Sequence, residues 1–203
     1  DENYVIYTQH QEDGRFLLKL YCVNPSANLQ ECLNKGRSAV LFSATLLPIQ
    51  YYKGLLSTRQ DNYAVYARSV FAREQSLILV AGDVSSKYTR RNEEEFDLIA
   101  FYIQRAIRAK KGNYIVFFPS YRLMEQVQEA VLKWGPAPME LLIQKPGMGE
   151  RHREEFLEAF SVERDHALVG FCVLGGIFSE GIDLKHDRLI GAVVVGTGLP
   201  QVS

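Results

Sequence analysis

Residues 114–134 read YIVFFPSYRLMEQVQEAVLKW, a short apolar run followed at once by a segment of helical length, and this succession decides the fold. Residues 114–118 read as a strand, Pro119 and Ser120 end it, and residues 121–134 supply a helix. The same order recurs downstream as strand 140–144, helix 149–160, strand 167–173, a glycine-punctuated loop and strand 189–195. Upstream, a long helix from Glu93 sets Phe96, Ile99, Ala100, Ile103 and Ile107 on one stripe, with Asn92 and Glu95 as a capping box and Gly112 as its stop. Short strands alternating with amphipathic helices need crossover connections, and these imply a mostly parallel sheet covered on both faces. The expected fold class is α/β.

The first third of the chain reads differently. Residues 4–8 and 15–23 are β-rich runs around the turn segment 11–14, a hairpin pattern. Asn24, Pro25 and Ser26 then cap a short helix ending near Gly36, and Ala39-Val40-Leu41-Phe42 reads as a compact buried strand running into Ser43-Ala44-Thr45. A helix fits residues 46–57, and the polar stretch 58–63 is the expected junction between two units. Strand-like runs at 63–71 and 76–81 precede the polar segment 83–92.

Composition narrows the classes. With 203 residues the chain holds one full domain and an attached piece, and its 47% hydrophobic and 23% charged residues are ordinary for a globular protein. No run approaches the roughly 18 apolar residues of a membrane span, so no membrane partner is expected. The N-terminus lacks the basic-then-apolar order of a signal peptide, and the chain is expected to be internal to a longer one. A net charge of -1 means that any nucleic-acid contact must be local. Cys22, Cys32 and Cys172 are too sparse for a disulfide framework, a zinc site or a four-cysteine iron–sulfur cluster, and the four histidines show no ligand spacing, so no metal site is expected.

In parallel sheets ligands collect at the carboxyl ends of the strands. Three such ends carry polar loops: Phe42-Ser43-Ala44-Thr45, Phe118-Pro119-Ser120-Tyr121, and Gly175-Gly176-Ile177-Phe178-Ser179-Glu180-Gly181-Ile182-Asp183. Backbone N–H groups at helix starts favour phosphates, although Ser120 equally suits a plain N-cap. In the third loop Glu180 and Asp183 lie three apart among glycines that permit close backbone approach; carboxylates so placed can bind ribose hydroxyls, order water or assist a metal-bound triphosphate. Two basic groups, Arg105 to Lys111 and Lys87 to Arg91, read first as a helix C-terminus and a solvated loop.

Together these segments resemble a known family. SATLLP (Ser43 to Pro48) is similar to helicase motif III, YIVFFPSY (Tyr114 to Tyr121) to motif IV, and GGIFSEGIDL (Gly175 to Leu184) to motif V of the DinG/XPD group of superfamily 2 helicases; the tail VVVGTGLP (Val193 to Pro200) resembles the strand and proline turn that follow. The resemblance spans about residues 20 to 203 and implies a RecA-like, P-loop NTPase type of sheet. On that basis residues 1–58 would be the tail of the first motor domain, with motif III and the linker, and 59–203 the second RecA-like domain, ending before motif VI.

The resemblance implies an ATP-dependent DNA helicase that moves on single-stranded DNA, 5′-to-3′ by family analogy, in DNA repair or replication, in a bacterial-type cytoplasm or a eukaryotic nucleus. It implies DNA-backbone contacts for Ser43, Thr45, Ser120, Tyr121 and Ser179. For Gly176, Glu180, Gly181 and Asp183 it implies a position at the ATP and Mg²⁺ cleft, Glu180 and Asp183 serving catalysis. Ser179 and Ile177 depart from residues common in the group, tryptophan and lysine respectively. No G-x-x-x-x-G-K-[ST] loop or Asp-Glu-x-His box occurs, so an upstream RecA-like domain would complete the ATP site, and an iron–sulfur cluster, if any, would also lie there. The chain alone is expected to be catalytically silent. The competing expectation is a degenerate RecA-like module that binds nucleic acid or a protein without ATP turnover.

Overall fold

Alternating residues on either side of the turn at 11–14 pair as expected. β1 (Tyr4–His10) and β2 (Phe16–Cys22) form an antiparallel ladder from Tyr4 opposite Cys22 to His10 opposite Phe16. The turn is closed by Gln11 N–H donating to Arg15 O at 2.9 Å. The structure is a computed structural model that describes residues 2–11, 13–133 and 139–197, and it divides into two compact units, Asp1–Leu77 and Ile78–Ser203.

In the first unit the hairpin is followed by α1 (Ser26–Leu33) and α2 (Ile49–Leu56), which pack on each other. Ser57, at the end of α2, donates its hydroxyl to Gln30 Oε1 of α1 at 2.5 Å. The expected buried strand at 39–42 is absent: these residues have no strand pairing, and Val40 and Phe42 are 84% and 90% exposed. The runs 63–71 and 76–81 are likewise unpaired, with a single 3-10 turn at Arg73–Gln75 between them. A strand exists only where a neighbour satisfies its N–H and C=O groups. Among the described residues no strand lies beside any of these three segments, so propensity alone leaves them extended.

The second unit follows the alternation read from sequence: α3 (Glu93–Ala109), β3 (Asn113–Phe118), α4 (Tyr121–Lys133), β4 (Met139–Ile143), α5 (Glu150–Ala159), β5 (Ala167–Val173) and β6 (Gly191–Val194). The strands form one sheet in the order β4-β5-β3-β6, and every pair is parallel. The expected strand 189–195 is shorter, yet Ile190 N–H to Asn113 O (2.9 Å) and Val195 N–H to Phe117 O (2.8 Å) carry its pairing past both ends. Residue 134 and the proline turn at Pro200 lie outside the described residues.

The two-residue period of the strands sorts the core into two layers. Tyr114, Val116 and Phe118 of β3, with Ala167, Val169 and Phe171 of β5, face the stripe of α3 and the Leu123, Met124 and Val127 side of α4. Ile115 of β3, with Leu168 and Cys172 of β5, faces Phe156 of α5 and Phe160 just beyond it. Each fully buried Phe, Leu, Ile or Val contributes about 1.5–3 kcal/mol from leaving water. Gly170 stands on the α5 face, where an added Cβ would lie 3.0 Å from the Phe156 and Phe160 rings. Burial pushes the Cys172 thiol up to about 12, so it behaves as a small apolar side chain.

The start of α3 shows why the polar segment before it is ordered. Asn92 caps the helix by accepting from Glu95 N–H at 2.8 Å. The reciprocal half of the expected capping box is not made; the buried Glu95 carboxylate instead accepts from Ser85 N–H and pairs with Arg90 at 2.9 Å. Arg91 lies over the Tyr88 ring and donates to Ser86 O. Tyr102 donates to Asp83 at 2.8 Å. Arg90 thus pins the segment onto its own helix, while Arg91 folds the segment onto itself.

Candidate functional site

The inner strands β3 and β5 run in register, Phe118 opposite Val173, so their carboxyl ends coincide. Leu174 N–H donates to Phe118 O at 2.8 Å and starts both following loops from one point. The loops 119–121 and 174–183, which hold two of the three polar stretches singled out by sequence, therefore do share an edge. Ser43 and Thr45 belong to the first unit, where their hydroxyls meet at 3.1 Å and Thr45 N–H donates to Ser43 Oγ.

The first loop leads into α4. Ser120 acts as its N-cap, accepting from Leu123 N–H at 3.3 Å, which is the plain structural role weighed for it. Tyr121, half-buried, accepts from Gln144 Nε2 at 2.9 Å. Gln144 itself is buried just beyond β4; its backbone N–H donates to Phe171 O at 2.9 Å and its Oε1 accepts from Val173 N–H at 2.8 Å. One side chain therefore ties the ends of β4 and β5 to the start of α4.

The second loop is a pair of tight turns. Gly176 N–H donates to Val173 O at 3.1 Å, Ser179 N–H to Gly176 O at 3.0 Å, and Ser179 Oγ to Val173 O at 3.4 Å. Gly176 is required by space: a Cβ there would lie 2.8 Å from Gln144 Nε2 and 3.0 Å from Val173 O. Gly181 is required by backbone, at φ +67°. Phe178 plunges into the core at 1% exposure, its ring centroid 4.4 Å from that of Phe156. From α5, Arg153 donates to Ile177 O and Gly181 O, both at 2.9 Å, and pairs with Glu150 at 2.9 Å. The loop is held at its start by Gln144, in its middle by Phe178, and along its flank by Arg153.

This anchoring leaves the carboxylates outside. Glu180 is exposed and has no hydrogen bond or ion pair among the described residues, whereas Asp183, also exposed, pairs with Lys185 at 3.2 Å. Both line a cavity of about 360 Å³ whose floor is Ile115, Phe117 and Phe178. Chemically, the edge presents a free acceptor pair at Glu180 for hydroxyls or water and a phenol at Tyr121. Sequence reasoning missed Gln144 and Arg153. Gln144 had a signal, since a polar residue ends the apolar run Leu141-Leu142-Ile143 at the carboxyl edge of the sheet; Arg153 had none, being one of several charges on a polar helix.

Comparison with known proteins locates this unit. The helicase C-terminal domain family matches residues 103–203, which include both loops. The ATP-dependent DNA helicase CHL1 of Coccidioides immitis is 25% identical over 207 residues, 91% of this chain and 24% of that protein. A regulator of telomere elongation helicase 1 homolog of Anopheles gambiae is 26% identical over 91% of the chain and 20% of its own length. The ATP-dependent DNA helicase XPD of Sulfolobus acidocaldarius is 27% identical over 80% of the chain and 28% of its own. The chain thus spans between a fifth and just over a quarter of the length of these relatives.

Proposed function

We propose, for a chain whose residues 103–203 belong to the helicase C-terminal domain family of the DinG/XPD type, that it supplies the second RecA-like motor domain of an ATP-dependent DNA helicase. The observation that carries this reading is the common origin of the loops 119–121 and 174–183 at one sheet edge, joined by Leu174 to Phe118 and by Gln144. Residues 1–58 belong to the tail of the first motor domain and 59–203 to the second. The compact unit begins later, at Ile78.

In this reading Gly176, Glu180, Gly181 and Asp183 face the nucleotide, and Ser43, Thr45, Ser120, Tyr121 and Ser179 face the backbone of single-stranded DNA. The donor set suits the nucleotide side: Glu180 is unpartnered among the described residues and Gly181 holds a backbone that a side chain would strain. Glu180 would order water or a ribose hydroxyl, and Asp183, freed from Lys185, would do the same. ATP with Mg²⁺ supplies the phosphoryl chemistry, which is mainly positioning and charge stabilisation. An upstream RecA-like domain supplies the phosphate-binding lysine loop. The motor acts in DNA repair or replication, translocates 5′-to-3′, and works in the cytoplasm of a bacterium or the nucleus of a eukaryote.

The test is Glu180→Ala with Asp183→Ala in the full-length protein. Both side chains are exposed, so stability should stay within about 0.5 kcal/mol. DNA-stimulated ATP turnover should fall by about tenfold or more, equivalent to about 1.4 kcal/mol of transition-state stabilisation. Wild-type turnover in the folded double variant refutes the roles given to these carboxylates.

A further inference from the structure

The Gln144 amide can be oriented in one way only. Val173 N–H donates at 2.8 Å, and a backbone N–H cannot accept, so the group facing it must be Gln144 Oε1. Nε2 consequently faces Tyr121 Oη, 2.9 Å away, and Nε2 has no lone pair to offer. Tyr121 must therefore accept here, and its own O–H proton is left over. No acceptor among the described residues takes that proton. A phenol could serve this strand edge as donor or as acceptor; the backbone of β5, acting through Gln144, leaves it the donor.

We infer that Gln144 is a positioning residue which fixes Tyr121 as an outward hydrogen-bond donor to a phosphodiester oxygen of single-stranded DNA. The inference deepens the reading of Tyr121 as a DNA contact and rests on it. Its chemistry is specific to an amide. In Gln144→Glu, both oxygens accept: one still takes Val173 N–H, and the other takes the Tyr121 O–H proton itself. The links between β4, β5 and α4 survive, but the proton meant for the phosphate is consumed. A side chain at position 176 would crowd this amide, since a Cβ there would lie 2.8 Å from Gln144 Nε2.

The experiment measures the dissociation constant of a fluorescein-labelled oligothymidylate by anisotropy in the full-length protein. Tyr121→Phe removes the donor and should raise Kd by about tenfold, the loss of one hydrogen bond to a charged group. Gln144→Glu should raise Kd by a similar factor. Placed in the Tyr121→Phe background, Gln144→Glu should add nothing, because no phenol proton remains to be diverted.

A Gln144→Glu effect that persists in the Tyr121→Phe background would mean plain charge repulsion and overturn the inference. Wild-type affinity in Gln144→Glu beside a weakened Tyr121→Phe overturns it too, while leaving Tyr121 as a DNA contact. Unchanged affinity in Tyr121→Phe overturns both. Gln144→Met gives an independent reading if the glutamate variant does not fold. It breaks both links and leaves the phenol unheld, so Kd should rise, by about threefold or more but by less than in Tyr121→Phe; wild-type affinity would show that Tyr121 needs no positioning and overturn the inference.

Discussion

Replacing Phe178 by alanine tests whether the glycine-rich loop is a structured part of the core. Phe178 is 1% exposed and packs on Phe156 at 4.4 Å between centroids, tilted by 37°. Truncating a buried phenylalanine costs about 3–5 kcal/mol, of which the aromatic pairing accounts for about 0.5–1.5. The ring also floors the cavity of about 360 Å³, so water can enter the space it leaves and the loss should fall near the lower figure, about 3 kcal/mol. Urea unfolding followed by circular dichroism should show a lower midpoint at unchanged slope. Ile177, the neighbour that stands 37% exposed, is the control, and Ile177→Ala should cost less than about 1 kcal/mol. Equal losses at the two positions, or a Phe178→Ala loss below about 1 kcal/mol, would refute the anchoring.

Gly170→Ala should destabilise by about 1–3 kcal/mol despite the better strand propensity of alanine, because the new methyl meets the Phe156 and Phe160 rings at 3.0 Å; a neutral or stabilising result in the same unfolding assay would show that those rings give way freely. His166 lies 2.6 Å from Asp165 and 3.4 Å from Glu140, and these hydrogen bonds hold its ring above the ordinary 6.5, while Arg164 and then His166 hold the Glu140 carboxyl below the usual range. A raised histidine contributes stability below its unfolded value and loses it as pH rises through the folded one, whereas the lowered Glu140 contributes above its ordinary value and fails as pH falls. His166→Gln should therefore lower the urea midpoint near about pH 5.5 and converge on wild type at about pH 9; a loss independent of pH would refute this.

The second unit was legible because its signals are local and agree with one another. Residues such as Phe96, Ile99 and Ile103 mark the stripe of α3, the apolar runs of β3 and β5 are bounded by Pro119 and Gly175, and Asn92 caps where its side chain says it should. The failures share a cause. Val40, Phe42 and residues 77–80 have strand-forming side chains, but a strand is a property of two segments, and sequence does not say whether a partner is beside them. At the site, the loops 119–121 and 174–183 were readable from their glycines and hydroxyls. Gln144 showed only as a polar residue closing an apolar run, and Arg153 not at all, because each acts through bonds to backbone atoms distant in sequence, Val173 N–H for one and Ile177 O and Gly181 O for the other. Ser120 shows the opposite limit: both of its readings were visible, and the capping bond to Leu123 realises the simpler one without excluding the other.

The placement of the two loops on neighbouring inner strands has a mechanical consequence. β3 and β5 are each hydrogen-bonded on both sides, so they are the least able to shear, and amide hydrogen exchange should be slowest along them. A load applied to either loop enters this stiff pair at the same point, where Leu174 meets Phe118. A pull on the turn at Tyr121 therefore reaches the turn bearing Glu180 through this one hydrogen bond and the β3–β5 ladder beneath it, as two handles share one plate.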